Sequence, residues 1–412
     1  MNGRIHKRNR GEMGVISQQT IKAENKKRLY QLISGNSGIS RACLASVTSL
    51  SKTTVSFLIE ELIQEGRIVD QGSIESGRKG RRPNSLAVNS RDCVIVLNWR
   101  RHEIWLSLVS AAFEIEVQER ESAEPETLGA KALAEKILSF IRRYTEDRSV
   151  LGICITVPGM IDSARHQIIS MVLALSEEGL IDEIRRLIPE YPISVLNDTA
   201  CMAYAEQAFG EMEEDSYLYV NINEGIGASL VQNARILHGG TGMGTQLGHF
   251  SIDRNGKRCR CGNRGCLENR IGELALPERI LENDLNIPLP GKEEGSRILF
   301  RDIGQMAGEG NGEAEKLIKI LASDLSFALG NFITVLHPDS VVIGGMARKL
   351  GETFLEEIIS DLKETGFRFF LDNLDIRFAG LGEEAILTGA ARYYIDTHYN
   401  FQEDLTGKLF LG

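Results

Sequence analysis

The period of the apolar residues changes near Cys93, and this change limits what the 412-residue chain can fold into more than any other feature. Before it, apolar residues recur at three- and four-residue spacing in short runs broken by Gly and Ser. After it, continuous apolar runs alternate with amphipathic stretches, which argues an α/β body behind a mainly helical head. In the body, VIVLNWR, IWLSLVS, VLGICITVPG and ISVLNDT read as strands, with LAEKILSFIRRY and ACMAYAEQAFG as helices. A second series opens with SYLYVNI and GASLVQN. It continues through the long helix EAEKLIKILASDLSFALGNFITVL to the strands SVVIGG and DIRFAGL and a last helix from about Glu384. Two such series predict two related lobes with a cleft between them, and GKEEG near residue 291 reads as an exposed acidic insertion.

Charge changes at the same place. Residues 1–90 carry 15 Lys and Arg against 7 Asp and Glu, a balance of +8, and the remainder carries 32 against 50, a balance of −18. A basic head on an acidic body points to a polyanion-binding module. Within the head, TIKAENKKRLYQLIS (20–34) puts Ile21, Leu29, Leu32 and Ile33 on one helical stripe before Gly35-Asn36-Ser37-Gly38 breaks it. Ser40 is placed to cap a second helix, RACLASV, and Ser51 a third that runs to Glu65, with a tight turn at Thr48-Ser49-Leu50 between them. In the third helix Val55, Leu58, Ile59, Leu62 and Ile63 have core spacing, leaving Lys52, Thr53, Thr54 and Ser56 as a small polar face at its start. A helix that enters the DNA major groove needs such a face, and these residues with Arg41 are the candidate DNA contacts. RIVDQGSIESGRKGRRPNSLAVN then reads as two strands around a Gly-rich turn, a wing. Its Arg78, Lys79, Arg81 and Arg82 can follow phosphates or enter a narrow minor groove. The expected partner is double-stranded operator DNA; the alternative reading of the three helices is a docking hairpin.

His249, Cys259, Cys261 and Cys266 follow the spacing H-x9-C-x-C-x4-C. Imidazole and thiolates suit a tetrahedral Zn2+, and four protein ligands leave no open position, so the expected role is structural. Gly256, Gly262 and Gly265 supply turns for such a knuckle; the alternatives are a disulfide or unliganded thiols. Cys43, Cys93, Cys154 and Cys201 lie in apolar patterns and read as core. No apolar run approaches the ~20 residues of a membrane span, and Arg4, Lys7, Arg8 and Arg10 precede no apolar stretch. The expected compartment is the cytoplasm, with no membrane partner.

CRCGNRGCLE (259–268), preceded by LGH (247–249), resembles the zinc signature of the ROK family of repressors, open reading frames and sugar kinases. ISRACLASVTSLSKTTVSFLIEELIQEG followed by GRKGRRP resembles the winged helix-turn-helix of its repressor branch. VPGMID (157–162), LNDT (196–199), VVIGG (341–345) and LGEEAILTGAA (381–391) stand in the family's order. The resemblance implies a winged helix-turn-helix domain (1–90) and a two-lobed actin-like, ribonuclease-H-like α/β body. That body has lobes at 91–198 and 199–383 and a C-terminal helix (384–412) returning to the first. It also implies a homodimer or homotetramer with a sugar or sugar-phosphate effector in the interlobe cleft. Asn197 and Asp198 match the pair that contacts the sugar, the Asp being general base in kinase members. His249 and Glu268 match residues lining the same pocket, Gln246 replaces the Glu of the family's Glu-x-Gly-His with a neutral amide that can still donate and accept, and Pro158-Gly159 matches the turn at its edge. Taken by themselves, Asn197 and Asp198 read as the N-cap of the following helix.

The chain departs from the kinase pattern where phosphates would bind. Leu97-Asn98-Trp99-Arg100-Arg101 stands in place of Asp-x-Gly-Gly-Thr, which removes the N–H cradle and the carboxylate that helps hold Mg2+. Asn223-Glu224-Gly225-Ile226-Gly227 places a carboxylate in the second phosphate loop. The expected function is therefore a sugar-responsive transcriptional repressor, not an enzyme. One alternative is an ATP-dependent sugar kinase with a DNA-binding head. The other is a regulator controlled by a protein partner, suggested by the apolar ISMVLAL (169–175) where the family places an Asn-Leu pair toward the sugar.

Overall fold

The structure, a computed structural model, describes residues 18–73, 84–123, 128–162, 165–237, 245–288 and 297–397. Arg78, Lys79, Arg81 and Arg82 of the expected wing, and the acidic GKEEG segment, lie outside the described residues. The chain divides into two compact units, one ending at Asn89 and the other beginning at Ser90.

The first unit is built from α1 (Gln18–Gly35), α2 (Arg41–Thr48), α3 (Lys52–Gln64), β1 (Ile68–Ser73) and β2 (Asn84–Val88). The hydroxyls of Ser40 and Ser51 accept from the N–H groups of Cys43 and Thr54 at 3.2 and 3.0 Å, which starts α2 and α3 where the sequence places them. Ser49, at φ 60°, turns the chain between them. Val55, Leu58, Ile59 and Leu62 of α3 pack with Leu29, Tyr30 and Ile33 of α1, all buried. Two expectations fail here. Ile21 is 50% exposed, because α3 is met at that turn of α1 by Lys22, which pairs with Glu61 and lies over the Phe57 ring. Cys43 is exposed on α2 and is not a core residue. Lys26 is buried instead, and its ammonium pairs with Glu65 and, at 3.7 Å, with Glu61 of α3. β1 and β2 run antiparallel, Ile68 opposite Val88, with a bulge between Asp70 and Gly72, and Ile39 bridges to Leu86.

The second unit contains two five-stranded sheets. The first begins with β3 (Asp92–Trp99), β4 (Glu103–Ser110) and β5 (Ile115–Ser122), an antiparallel meander. After α4 (Ala130–Tyr144) come β6 (Ser149–Val157), a small sheet of β7 (Met160–Asp162), β8 (Gln167–Ser170) and β9 (Leu175–Glu178), then α5 (Leu180–Leu187) and β10 (Ile193–Asn197). β6 pairs parallel to β3, and β10 parallel to β6, giving the order β10-β6-β3-β4-β5. α6 (Asp198–Phe209) leads into the second sheet, β11 (Tyr217–Ile222), β12 (Ile226–Gln232) and β13 (Arg235–Ile236). α7 (Glu268–Ile271), α8 (Leu276–Glu282), α9 (Phe300–Gly308) and α10 (Gly312–Leu336) follow, then β14 (Ser340–Gly345), α11 (Glu352–Thr365), α12 (Arg368–Leu371), β15 (Asp375–Phe378) and α13 (Ala385–Thr397). This sheet runs β13-β12-β11-β14-β15, with β14 parallel to β11 and β15 parallel to β14. Both sheets thus share one order: a three-strand meander, then two parallel strands that reach the far edge by helical crossovers.

Central strands covered on both faces explain the unbroken apolar runs; every residue of β3 and of β11 is buried. By length and composition α10 could cross a membrane, against the expectation that no run could. In this fold it lies in the second-lobe core, burying Leu317, Ile318, Leu321, Leu325 and Leu329. α13 packs against α6 and against β3, β4 and β6, while α6 also meets β11 and β12, so the two helices lie between the sheets. Their approach requires Gly389, where a Cβ would come within 2.2 Å of the Cys201 carbonyl oxygen.

Candidate functional site

The ends of the strands in both sheets open onto one cavity of about 1080 Å³. Gly159, Asn197, Asp198, Gln246, His249 and Glu268, six residues spread over 110 positions of sequence, all line it. Ligands in open α/β sheets sit at this edge, where loops follow the carboxyl ends of strands.

Asn197 ends β10 and caps α6: its Oδ1 accepts from the Ala200 N–H at 2.8 Å. Its Nδ2 donates to the Gly159 carbonyl at 2.8 Å, so the same amide fixes the Pro158-Gly159 turn. Asp198 Oδ1 accepts from the N–H and hydroxyl of Thr199 at 2.6 and 3.2 Å. Desolvation nevertheless raises this carboxyl to about 6, outweighing the Thr199 hydrogen bonds and the charge of Arg100. Glu268 opens α7, and its Oε2 accepts from the Ile226 N–H at 3.2 Å, which ties it to the β11–β12 turn. Opposite in character, Met160, Ile169, Met171 and Val172 of the β7–β9 region give the cavity an apolar side.

The two loops that differ from the kinase pattern are filled by the chain itself. Asn98 is buried, and its Oδ1 accepts from the Thr156 hydroxyl at 2.9 Å; Trp99 is buried beside it. Arg100 pairs with Glu103 at 3.5 Å and Glu383 at 3.1 Å. Arg101 pairs with Glu224 at 3.3 Å, and Arg297 reaches the same carboxylate at 3.1 Å. The sequence shows Glu224 only as a carboxylate in the second phosphate loop and does not show its partners. No local spacing signals them, because they lie 123 and 73 residues away.

His249, Cys259, Cys261 and Cys266 come together with their ligand atoms within 4.8 Å of one another. The Cys261 and Cys266 sulfurs are 3.6 Å apart, and the Cys259 sulfur is 3.8 Å from His249 Nδ1. Tetrahedral sites with metal–sulfur bonds of about 2.3 Å and metal–nitrogen bonds of about 2.0 Å space such atoms by roughly 3.6–3.8 Å, so the donor set fits a metal. Gly265, at φ 60°, makes the turn, and a Cβ there would lie 1.8 Å from the Asp253 carbonyl oxygen. Burial raises the Cys259 and Cys266 thiols.

In the first unit, Lys52, Thr53 and Ser56 are exposed at the start of α3. Thr54 is half-buried and belongs to the cap, its hydroxyl 2.8 Å from that of Ser51. Arg41 pairs with Asp70 of β1 at 2.9 Å.

A winged helix-turn-helix DNA-binding family model matches residues 22–69, and the ROK family model matches residues 95–397. The chain belongs to the ROK family. A putative xylose repressor of Caldicellulosiruptor sp. (strain Rt8B.4) is 29% identical over 400 residues, covering 93% of this chain and 98% of the relative. The DNA-binding transcriptional dual regulator NagC of Escherichia coli (strain K12) is 26% identical over 375 residues, covering 89% and 91%. A crystal structure of a ROK family transcriptional regulator, a homologue of the E. coli MLC protein, superimposes with a TM-score of 0.77. It is 26% identical and covers 91% of this chain and 96% of its own. The ROK body and the winged head are thus both accounted for, in the order the sequence motifs implied.

Proposed function

We propose that this ROK protein is a cytoplasmic, sugar-responsive transcriptional repressor and not an enzyme. A homodimer or homotetramer presents the Lys52–Ser56 faces of its α3 helices to operator DNA. A sugar in the cleft changes operator affinity by favouring one arrangement of the lobes. The observation that carries the reading is the division of the cleft. Asp198 and Glu268 offer carboxylates for sugar hydroxyls, while the loops where a kinase would hold phosphates are occupied by Asn98, Trp99 and the Arg101–Glu224 pair. The names of the relatives, xylose repressor and NagC, support it.

Zinc is the metal that one imidazole and three thiolates suit best, and His249, Cys259, Cys261 and Cys266 would hold it. Holding it there, the four ligands would tie the knuckle together and fix His249 on the cleft wall.

The test is a mobility shift on the DNA upstream of the protein's own gene and of neighbouring sugar genes, titrated with pentoses, hexoses, amino sugars and their phosphates. One compound is expected to alter the shift at a concentration where the others do not. Operator binding unchanged by every compound defeats the sugar-responsive reading, and sugar-dependent ADP release that disappears in Asp198→Asn establishes the kinase instead.

A further inference from the structure

The Glu224 carboxylate lies between two guanidiniums from opposite sides of the cleft. Arg101, in the turn between β3 and β4, approaches Oε2 at 3.3 Å; Arg297, just ahead of α9, approaches Oε1 at 3.1 Å. Arg297 also lies 3.4 Å from Nε2 of His102, the residue after Arg101. A planar two-oxygen anion held by two guanidiniums is the arrangement by which proteins bind phosphate and carboxylate groups. Here the chain supplies the anion from its own loop. The Arg101, Arg297 and Glu224 side chains are 24%, 40% and 26% exposed, so the site is open to solvent and the internal pairs are weak enough for a ligand to compete.

The same loop borders the sugar site. A Cβ on Gly225 would lie 2.6 Å from Glu268 Oε2, and the next N–H, that of Ile226, donates to that oxygen. Arg101, His102, Glu224, Asp198 and Glu268 line one cavity. The Arg101 guanidinium thus borders the cavity that holds the Asp198 and Glu268 carboxylates, and Arg297 meets it across Glu224.

We propose that Arg101 and Arg297 form an anion-binding site at the mouth of the cleft, filled in the free protein by Glu224. It takes the phosphate of a phosphorylated sugar. The incoming phosphate displaces Glu224, and a link between the lobes made by the protein is replaced by one made by the effector. The inference rests on the reading of the cleft as a sugar site, but its test needs neither sugar nor operator.

Inorganic phosphate is titrated into the full-length wild type, Glu224→Gln, and Glu224→Gln combined with either Arg101→Ala or Arg297→Ala, with binding followed by calorimetry. Removing the competing carboxylate is expected to tighten phosphate binding about tenfold or more, and loss of either arginine to abolish the gain. Equal affinity in wild type and Glu224→Gln overturns the proposal, as does a gain that survives both arginine substitutions. Either result leaves a response to neutral sugars standing. Operator binding indifferent to every sugar, with the phosphate gain intact, removes the sugar reading and keeps the anion site.

Discussion

Asp198→Asn should make the protein more stable at neutral pH, by an amount that the environment of the carboxyl sets. Desolvation moves this group from 3.8 to about 6 in the folded chain. Between about pH 4 and pH 6 the folded state therefore keeps a proton that the unfolded state has released. The group's contribution to stability falls across that window and is level above it. The difference between 3.8 and about 6 corresponds to about 3 kcal/mol at pH 7.5. Asparagine keeps the Oδ1 that accepts from the Thr199 N–H and carries no charge to desolvate. The variant should gain about 2–3 kcal/mol at pH 7.5 and almost nothing at pH 4. Urea unfolding followed by tryptophan fluorescence reads the relevant lobe, because the chain's two tryptophans, Trp99 and Trp105, are both buried in the sheet that ends at Asp198. A variant no more stable than wild type at pH 7.5, or a gap of equal size at both pH values, refutes the reasoning. A carboxylate kept at such a cost, in a cleft, is the mark of a group retained for binding.

Lys52→Ala should weaken operator binding and lower the slope of log affinity against log salt by about one, measured by titration at several salt concentrations. An unchanged slope removes Lys52 from the phosphate contacts. Gly265→Ala should prevent the knuckle from closing, since the added Cβ meets the Asp253 carbonyl oxygen at 1.8 Å in a left-handed turn. Metal analysis is expected to show about one zinc per chain in the wild type and a large loss in the variant, and full retention counts against the geometry.

What could be read from the sequence divides by the distance over which residues interact. The serine caps of α2 and α3 act over three residues, and the His249–Cys266 cluster spans 18, so both are visible in the letters alone. The cap role of Asn197 was visible too, but its second bond, to the Gly159 carbonyl, depends on β10 lying beside β6. Strand order needs pairing information that periodicity does not carry, so the matching order of the two sheets was out of reach. Ile21 and Cys43 were misread because an apolar residue at helical spacing reports a face, while burial depends on whether anything packs there. The Arg101–Glu224–Arg297 group was invisible for a related reason: each charge alone reads as a solvated surface residue.

The route of the chain between the two sheets has a mechanical consequence. It crosses once through α6 and returns once through residues 379–384 into α13. The crossings touch: the buried Glu206 of α6 accepts the Leu381 N–H of the return segment at 2.8 Å. Two plates joined by a single tether can tumble in any direction, but plates joined at two neighbouring points keep only a rotation about the line through them. The cleft therefore favours opening about one axis, and the Arg101–Glu224 pair spans it one residue away from Arg100, which holds Glu383 of the return segment at 3.1 Å.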